Sequence, residues 1–167
     1  MGNADFTPRV VLSVPHTGTR TLREILGCFS KHTFVNNERL AMDLVGAVVV
    51  TPLRDPREVW KSWLVRQGTI HQVDLHQFEK TWRRLEELDK LYSIIYVPLD
   101  RPERDMQFAK VERAVGEEFS PNWEHREGHI ETYAYGYEDR PRVYDDGRDL
   151  NWIYQLPMIK RYYNEPI

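Results

Sequence analysis

Arg9-Val-Val-Leu-Ser-Val-Pro-His-Thr-Gly-Thr-Arg-Thr-Leu-Arg-Glu-Ile-Leu26 is the stretch that decides the fold. Arg9 to Val14 is a short apolar run, long enough for a buried strand. Pro15, His16, Thr17, Gly18 and Thr19 make a small polar turn. Leu22, Ile25, Leu26 and Phe29 then recur at helical spacing, which predicts a helix over 19–28. A strand, a tight turn and a helix in that order aim backbone N–H groups and the positive end of a helix at one point. A phosphate fits there. Gly18 lets the backbone approach an anion closely. Thr17, Thr19 and Thr21 add hydroxyl donors, and Arg20 adds charge. An ordinary βα turn has the same outline. The turn lacks the Gly-Lys-Ser/Thr ending of a Walker A loop, so an ATPase is not the default reading.

A second unit of the same kind follows. Gly46-Ala-Val-Val-Val-Thr51 is β-branched and apolar on both faces, as in a parallel sheet covered on both sides. After Pro52-Leu53-Arg54, Asp55 suits a helix N-cap, Pro56 the first helical position and Glu58 the reciprocal capping position. Val59, Trp60, Trp63 and Leu64 lie along the helix that begins there. Arg54, Arg57, Lys61 and Ser62 offer a second anion site. The plainer reading is a capped helix with solvated arginines.

Between the two units, His32 to Val35 suits a short strand, and Asn36-Asn37 a turn. Beyond the second, residues 74–92 predict a long helix with Leu75, Phe78, Trp82, Leu85 and Leu88 or Tyr92 on one stripe. Its charges read as a solvated face. Ser93 to Val97 predicts a strand, and a helix opened by Pro102 runs to Val115 and stops at Gly116. Residues 117–150 are rich in Pro, Gly, charge and tyrosine and read as loops with room for one hairpin. A terminal helix is predicted from Gln155, with Pro157 near its start. The alternation predicts an α/β fold: one three-layer, P-loop-like domain over residues 1–167, with a mostly parallel central sheet flanked by helices. Ligands of such sheets bind beyond the carboxyl ends of the strands, where turns 15–19 and 52–56 both lie.

The 167 residues carry a net charge of −3, which disfavours a nucleic-acid partner bound through a basic surface. The single cysteine, Cys28, allows no intrachain disulfide. No apolar run approaches a membrane span, and the N-terminus lacks the basic and apolar regions of a signal peptide. The expectation is a cytoplasmic protein with no membrane partner.

His16-Thr17-Gly18-Thr19-Arg20-Thr21-Leu22-Arg23-Glu24-Ile25-Leu26 resembles the loop and helix of the sulfotransferases that use 3′-phosphoadenosine 5′-phosphosulfate (PAPS). Their 5′-phosphosulfate loop reads Pro-Lys-x-Gly-Thr, and the carbohydrate branch often continues Arg-x-Leu-x-x-x-Leu. Their 3′-phosphate motif is Arg-Asp/Asn-Pro with a Ser eight positions after the Arg, as Arg54-Asp55-Pro56 and Ser62 are here. Asp146-Gly147-Arg148 and the segment Leu156 to Tyr163 look, more loosely, like that branch's Gly-Arg segment and last helix. The chain is short for the family. The resemblance implies that Thr17, Gly18, Thr19, Arg20 and Thr21 hold the 5′-phosphosulfate, that Arg54 and Ser62 hold the 3′-phosphate, and that Gly147 or Arg148 closes over the nucleotide. It implies PAPS as co-substrate, a hydroxyl acceptor such as a carbohydrate, and no metal.

Two positions depart from that pattern. The family's loop lysine, which supports the bridging oxygen as sulfate leaves, is His16 here. The glutamate that often serves as general base has no counterpart near residues 30–34. His32 is the first substitute, ahead of Glu38 and Asp43. His125 and His129, and His71 and His76, lack metal-site spacing. Tyr133, Tyr135 and Tyr137 alternate as one face of a hairpin would; an acceptor site lined by them is the other reading. Two alternatives to the transferase stand beside it: a nucleotide-binding module without catalysis, and a P-loop kinase.

Overall fold

The computed structural model describes residues 6–15, 17–33, 44–67, 75–123 and 145–163. In chain order they form β1 (Arg9–Ser13), α1 (Thr19–Leu26), β2 (Phe29–His32), β3 (Val48–Leu53), α2 (Pro56–Gln67) and α3 (Leu75–Leu91). Then come β4 (Ile94–Pro98), α4 (Arg104–Val115), α5 (Asn151–Tyr154) and α6 (Pro157–Lys160). The four strands make one sheet in the order β2-β1-β3-β4, with every pairing parallel. This is the α/β architecture expected from the alternating pattern.

Successive residues of a strand face opposite sides of the sheet, and both sides are buried here. Val11, Val50 and Val97 turn to one side, where they meet Leu22 and Leu26 of α1 and Phe108, Val111 and Val115 of α4. Val10, Leu12 and Val49 turn to the other, against Leu44 and Leu88. Toward the carboxyl ends of the strands, Val14, Leu53 and Tyr96 join α2, α3, α5 and α6 in the largest cluster. Phe78 lies at its centre, with ring centroids 4.7 Å from Trp60, 5.1 Å from Trp63 and 6.2 Å from Trp82. Full burial of a side chain of that size contributes about 1.5–3 kcal/mol. The tryptophans are therefore core, as their helical spacing suggested.

Several boundaries differ from the sequence expectation, each for a local reason. Gly27, at φ 61°, ends α1 at Leu26, and the N–H of Cys28 returns to Arg23 O at 3.2 Å. Phe29 therefore leaves the helical stripe, starts β2 and is 80% exposed. Pairing with β1 runs from Val10↔Phe29 to Ser13↔His32, so this strand lies earlier than the expected His32–Val35. Gly46, at φ 76°, belongs to the turn before β3, which begins at Val48 and continues to Leu53. The terminal helix is two short helices, α5 and α6, separated at Gln155 and Leu156. The α3 stripe is as predicted, with Phe78, Trp82, Leu85 and Leu88 buried. Its charged residues lie off that stripe, and Arg84 pairs with Glu87 at 2.7 Å. No described helix is long and apolar enough to cross a membrane.

Candidate functional site

The strand order reverses between β1 and β3. Turns leaving adjacent strands at such a point diverge to opposite faces of the sheet and leave a crevice between them. The described residues of the two turns here are 14, 15, 17 and 18, and 54–55.

The first turn is held from inside. Thr17 is fully buried, and its hydroxyl donates to Val14 O at 2.7 Å. Trp63 Nε1 donates to Pro15 O at 3.0 Å. Gly18 caps α1 at φ 105° and ψ 24°, and a Cβ added there would overlap Leu99 Cδ1. Only glycine satisfies both the dihedral and the close approach. The α1 N-terminus has no side-chain cap and no acidic residue in its first turn. Its positive end is thus unneutralised from within the helix. Thr19 Oγ1 lies 2.6 Å from Ser13 Oγ. Arg20 and Thr21 are half-buried on the same turn, and Arg20 pairs weakly with Glu24 at 3.9 Å. Thr17 therefore shapes the loop with its hydroxyl, leaving Thr19 and Thr21 as the hydroxyl donors nearest the helix end.

The second turn is built differently. Asp55 Oδ1 accepts from Arg57 N at 3.0 Å, and Asp55 O accepts from Val59 N at 3.0 Å. Asp55 is the N-cap that the sequence suggests, but the capping box is not closed by Glu58, which pairs instead with Lys61 at 3.2 Å. Asp100, from the β4–α4 connection, takes that role and accepts from Asp55 N at 3.0 Å. Two tyrosines complete the arrangement. Tyr154 donates its hydroxyl to Asp55 Oδ1, and Tyr163 donates to Asp100 Oδ1. Burial, then the neighbouring carboxylate, pushes both phenols up, so they stay protonated and donating. A carboxylate already occupies the positive end of α2, so a ligand anion there depends on side chains. Half-buried Arg54 has no hydrogen-bonding or ionic partner among the described residues. Ser62, also half-buried, stands about two turns further along α2.

Residues 145–148 fold back onto this second turn. Arg57 Nη1 donates to Asp145 Oδ1 at 3.1 Å, and Arg57 Nη2 donates to Arg148 O. Trp60 Nε1 donates to Asp146 Oδ1 at 2.8 Å. Gly147, at φ 72°, allows the tight turn, and Arg148 Nε meets Asp146 Oδ2 at 2.7 Å. Arg148 thus stands beside the N-terminal half of α2, at the same end of the sheet as Arg54.

His32 closes β2 directly beside Ser13 of β1. Thr33 anchors this strand end twice: its N–H donates to Ser13 O at 2.9 Å and its hydroxyl to Thr81 O at 2.8 Å. His32 Nδ1 lies 3.5 Å from Ser13 Oγ, which in turn touches Thr19. Desolvation lowers the His32 pKa below 6.5, and the hydrogen bond to the Ser13 backbone opposes it only in part. Neutral imidazole is the form required of a base.

The fold thus brings together Gly18, Thr19, Arg20, Thr21 and His32 at the end of β1, and Arg54, Ser62 and Arg148 at the end of β3. His16, Glu38, Asp43, His71, His125, His129 and the tyrosines at 133, 135 and 137 lie outside the described residues. Among the described residues, no group of three or more His, Cys, Asp or Glu is placed to hold a metal ion. Sequence reading missed Asp100, Tyr154 and Asp145, and it named Asp146 and Tyr163 only within loosely matching segments, without the contacts they make. Asp146-Gly147 is a turn signal that could have located the fold-back, whereas nothing local marks either tyrosine as a donor to a distant aspartate. In comparisons with known proteins, no family model, no curated protein and no solved structure matches this chain.

Two measurements test this geometry. Gly18→Ala is expected to destabilise the protein by about 2–4 kcal/mol, from strain at positive φ plus overlap with Leu99. Gly27→Ala, at φ 61° in open space, is expected to lose only about 1–2 kcal/mol. Adding Leu99→Ala to Gly18→Ala should relieve the overlap; equal losses at the two glycines in urea unfolding would contradict the close approach. Separately, the NMR titration midpoint of His32 should fall below 6.5. The unfolded chain then takes up that proton first, so stability drops as pH falls from 6.5 toward the folded midpoint. His32→Asn should remove that part of the pH dependence, and a midpoint at or above 6.5 would refute the desolvated environment.

Proposed function

We propose that this chain binds a nucleotide with phosphates on both sides of its ribose, and moves a sulfuryl group from PAPS to a hydroxyl acceptor such as a carbohydrate. One observation carries the reading. On adjacent parallel strands, either side of the reversal in strand order, stand a helix end without a side-chain cap and an arginine that has no partner among the described residues. The pair supports two separate anions in one crevice. The backbone at Thr19, Arg20 and Thr21 suits one of them, and the Arg54 guanidinium suits the other. The Thr19 and Thr21 hydroxyls and the half-buried Ser62 are of the same hydrogen-bonding chemistry. The donor set therefore fits an adenosine 3′,5′-bisphosphate.

In the reaction, the bond from sulfur to the bridging oxygen breaks, a new bond forms from sulfur to the acceptor oxygen, and the acceptor proton passes to a base. The chain's residues bind and orient the nucleotide, and fixed dipoles offset charge on the departing phosphate. His32 is the base of this reading. Its neutral imidazole stands at the end of β2, linked through Ser13 to the phosphate loop. His16 takes the position of the family's lysine and supplies a hydrogen bond when protonated. A cytoplasmic setting, compatible with the lone Cys28, belongs to the same proposal.

His16 also favours a second reading, a nucleotide-binding module that has lost transfer. Binding comes first in either case, so calorimetry is the test. The 3′,5′-bisphosphate should bind at least about tenfold tighter than AMP, and Arg54→Ala should abolish that preference. Equal affinities for the bisphosphate and AMP would exclude two phosphate sites. Preferential binding of ATP would point to a kinase. Turnover of PAPS with hydroxyl acceptors then separates the transferase from the module.

A further inference from the structure

The turn at 145–148 carries more built structure than an exposed loop needs. Asp146 has a side chain only 9% exposed, and three donors converge on its carboxylate. They are Trp60 Nε1 at 2.8 Å, Arg148 N at 3.2 Å and Arg148 Nε at 2.7 Å. These donors hold the Asp146 carboxyl below the usual carboxylate range, against the upward push of burial. Arg57 grips the same turn twice, through Asp145 Oδ1 and Arg148 O. Arg57 and Trp60 both belong to the first half of α2, directly after Arg54.

This geometry leaves one surface open. Asp146 engages Arg148 at Nε, on one edge of the guanidinium, while the side chain as a whole stays 43% exposed. A guanidinium presents its donors in a rigid planar fork, so anchoring Nε fixes the direction of the remaining terminal nitrogens. Those nitrogens can then receive a tetrahedral anion in the bidentate way that arginine favours. A free arginine would have to lose rotamer freedom on binding. Here the loss is already met in the folded protein.

We propose that Asp146 is a positioning residue: seated on Trp60, it aims Arg148 at the phosphate that Arg54 binds, and so sets the preference for a bisphosphate over a monophosphate. The proposal rests on the two-anion reading of the site. Arg57 serves the same end by tying the turn to α2. None of Asp146, Trp60 and Arg57 needs to touch the nucleotide.

The test compares the affinities of the 3′,5′-bisphosphate and AMP, by calorimetry, in the wild-type chain, Asp146→Asn, Arg148→Ala and the double variant. Asp146→Asn preserves shape and an acceptor for Trp60 but removes the charge that holds Arg148. It is expected to weaken the bisphosphate about tenfold and AMP by less than about twofold. Arg148→Ala should match it, and the double variant should be no worse than either single one, because both remove the same aimed donor. Equal loss for both nucleotides, additive losses, or no loss would overturn the positioning role. Arg148→Lys supplies an independent arm on an exposed side chain: it keeps the charge but lacks Nε, and should lose the preference as Arg148→Ala does. A lysine variant with wild-type preference would overturn the proposal as well. A wild-type chain without any preference for the bisphosphate refutes the underlying site instead, and is read from the same titrations.

Discussion

Four strands running the same way, with their order reversing between β1 and β3, impose the constraint from which the rest follows. Every strand ends at the same edge of the sheet. At one point on that edge, two neighbouring strands send their chains to opposite faces. Helix α1 packs on the side shared with α4, whereas α2 packs with α3, α5 and α6. The turns that precede α1 and α2 must part, and their helix ends face a common crevice. No other place in the described sheet combines two helix N-termini in that way.

The two helix ends then take opposite solutions to the same physical problem. Each begins with amide groups that have no partner within the helix. At α2 the protein satisfies them itself, with Asp55, and holds Asp55 in place through Asp100, Tyr154 and Tyr163. Hydrogen bonds to charged groups contribute about 1.5–3 kcal/mol each, so this network ties the C-terminal helices firmly to the edge of the sheet. Arg101 reinforces it, 3.9 Å from Asp55 and stacked 4.6 Å from the Tyr163 ring. At α1 no side chain plays the corresponding part. The α2 end is closed by the protein's own carboxylate, whereas the α1 end keeps its amides free of any side-chain cap.

Local pattern made much of this legible. The apolar runs of β1, β3 and β4 and the stripe of α3 follow from periodicity, which tertiary packing did not override. Asp55 was readable because an N-cap demands a narrow class of residue, whereas Gly18, read as room for an anion, proves to hold a positive φ against Leu99. Legibility failed where the partner is distant in sequence. Glu58 has the right spacing for a capping box, yet Asp100 fills that role from 45 residues away. Tyr154 reaches Asp55 across 99 residues, and Arg57 reaches Asp145 across 88. Phe29 continues a helical stripe in sequence, but Gly27 interrupts it, and only pairing with β1 reveals the strand. The same distinction applies to the site. Each of the two turns was visible by itself, whereas the clasp that joins residues 145–148 to α2 needed the fold.

The central claim is spatial: one phosphate at the open end of α1 and another at Arg54. A crystal structure of the chain with 3′-phosphoadenosine 5′-phosphate bound tests it most directly. The account predicts the 5′-phosphate against the amides of Thr19, Arg20 and Thr21, and the 3′-phosphate within hydrogen-bonding distance of Arg54. A nucleotide seated away from the carboxyl ends of β1 and β3, or with both phosphates on one of the two turns, would contradict it.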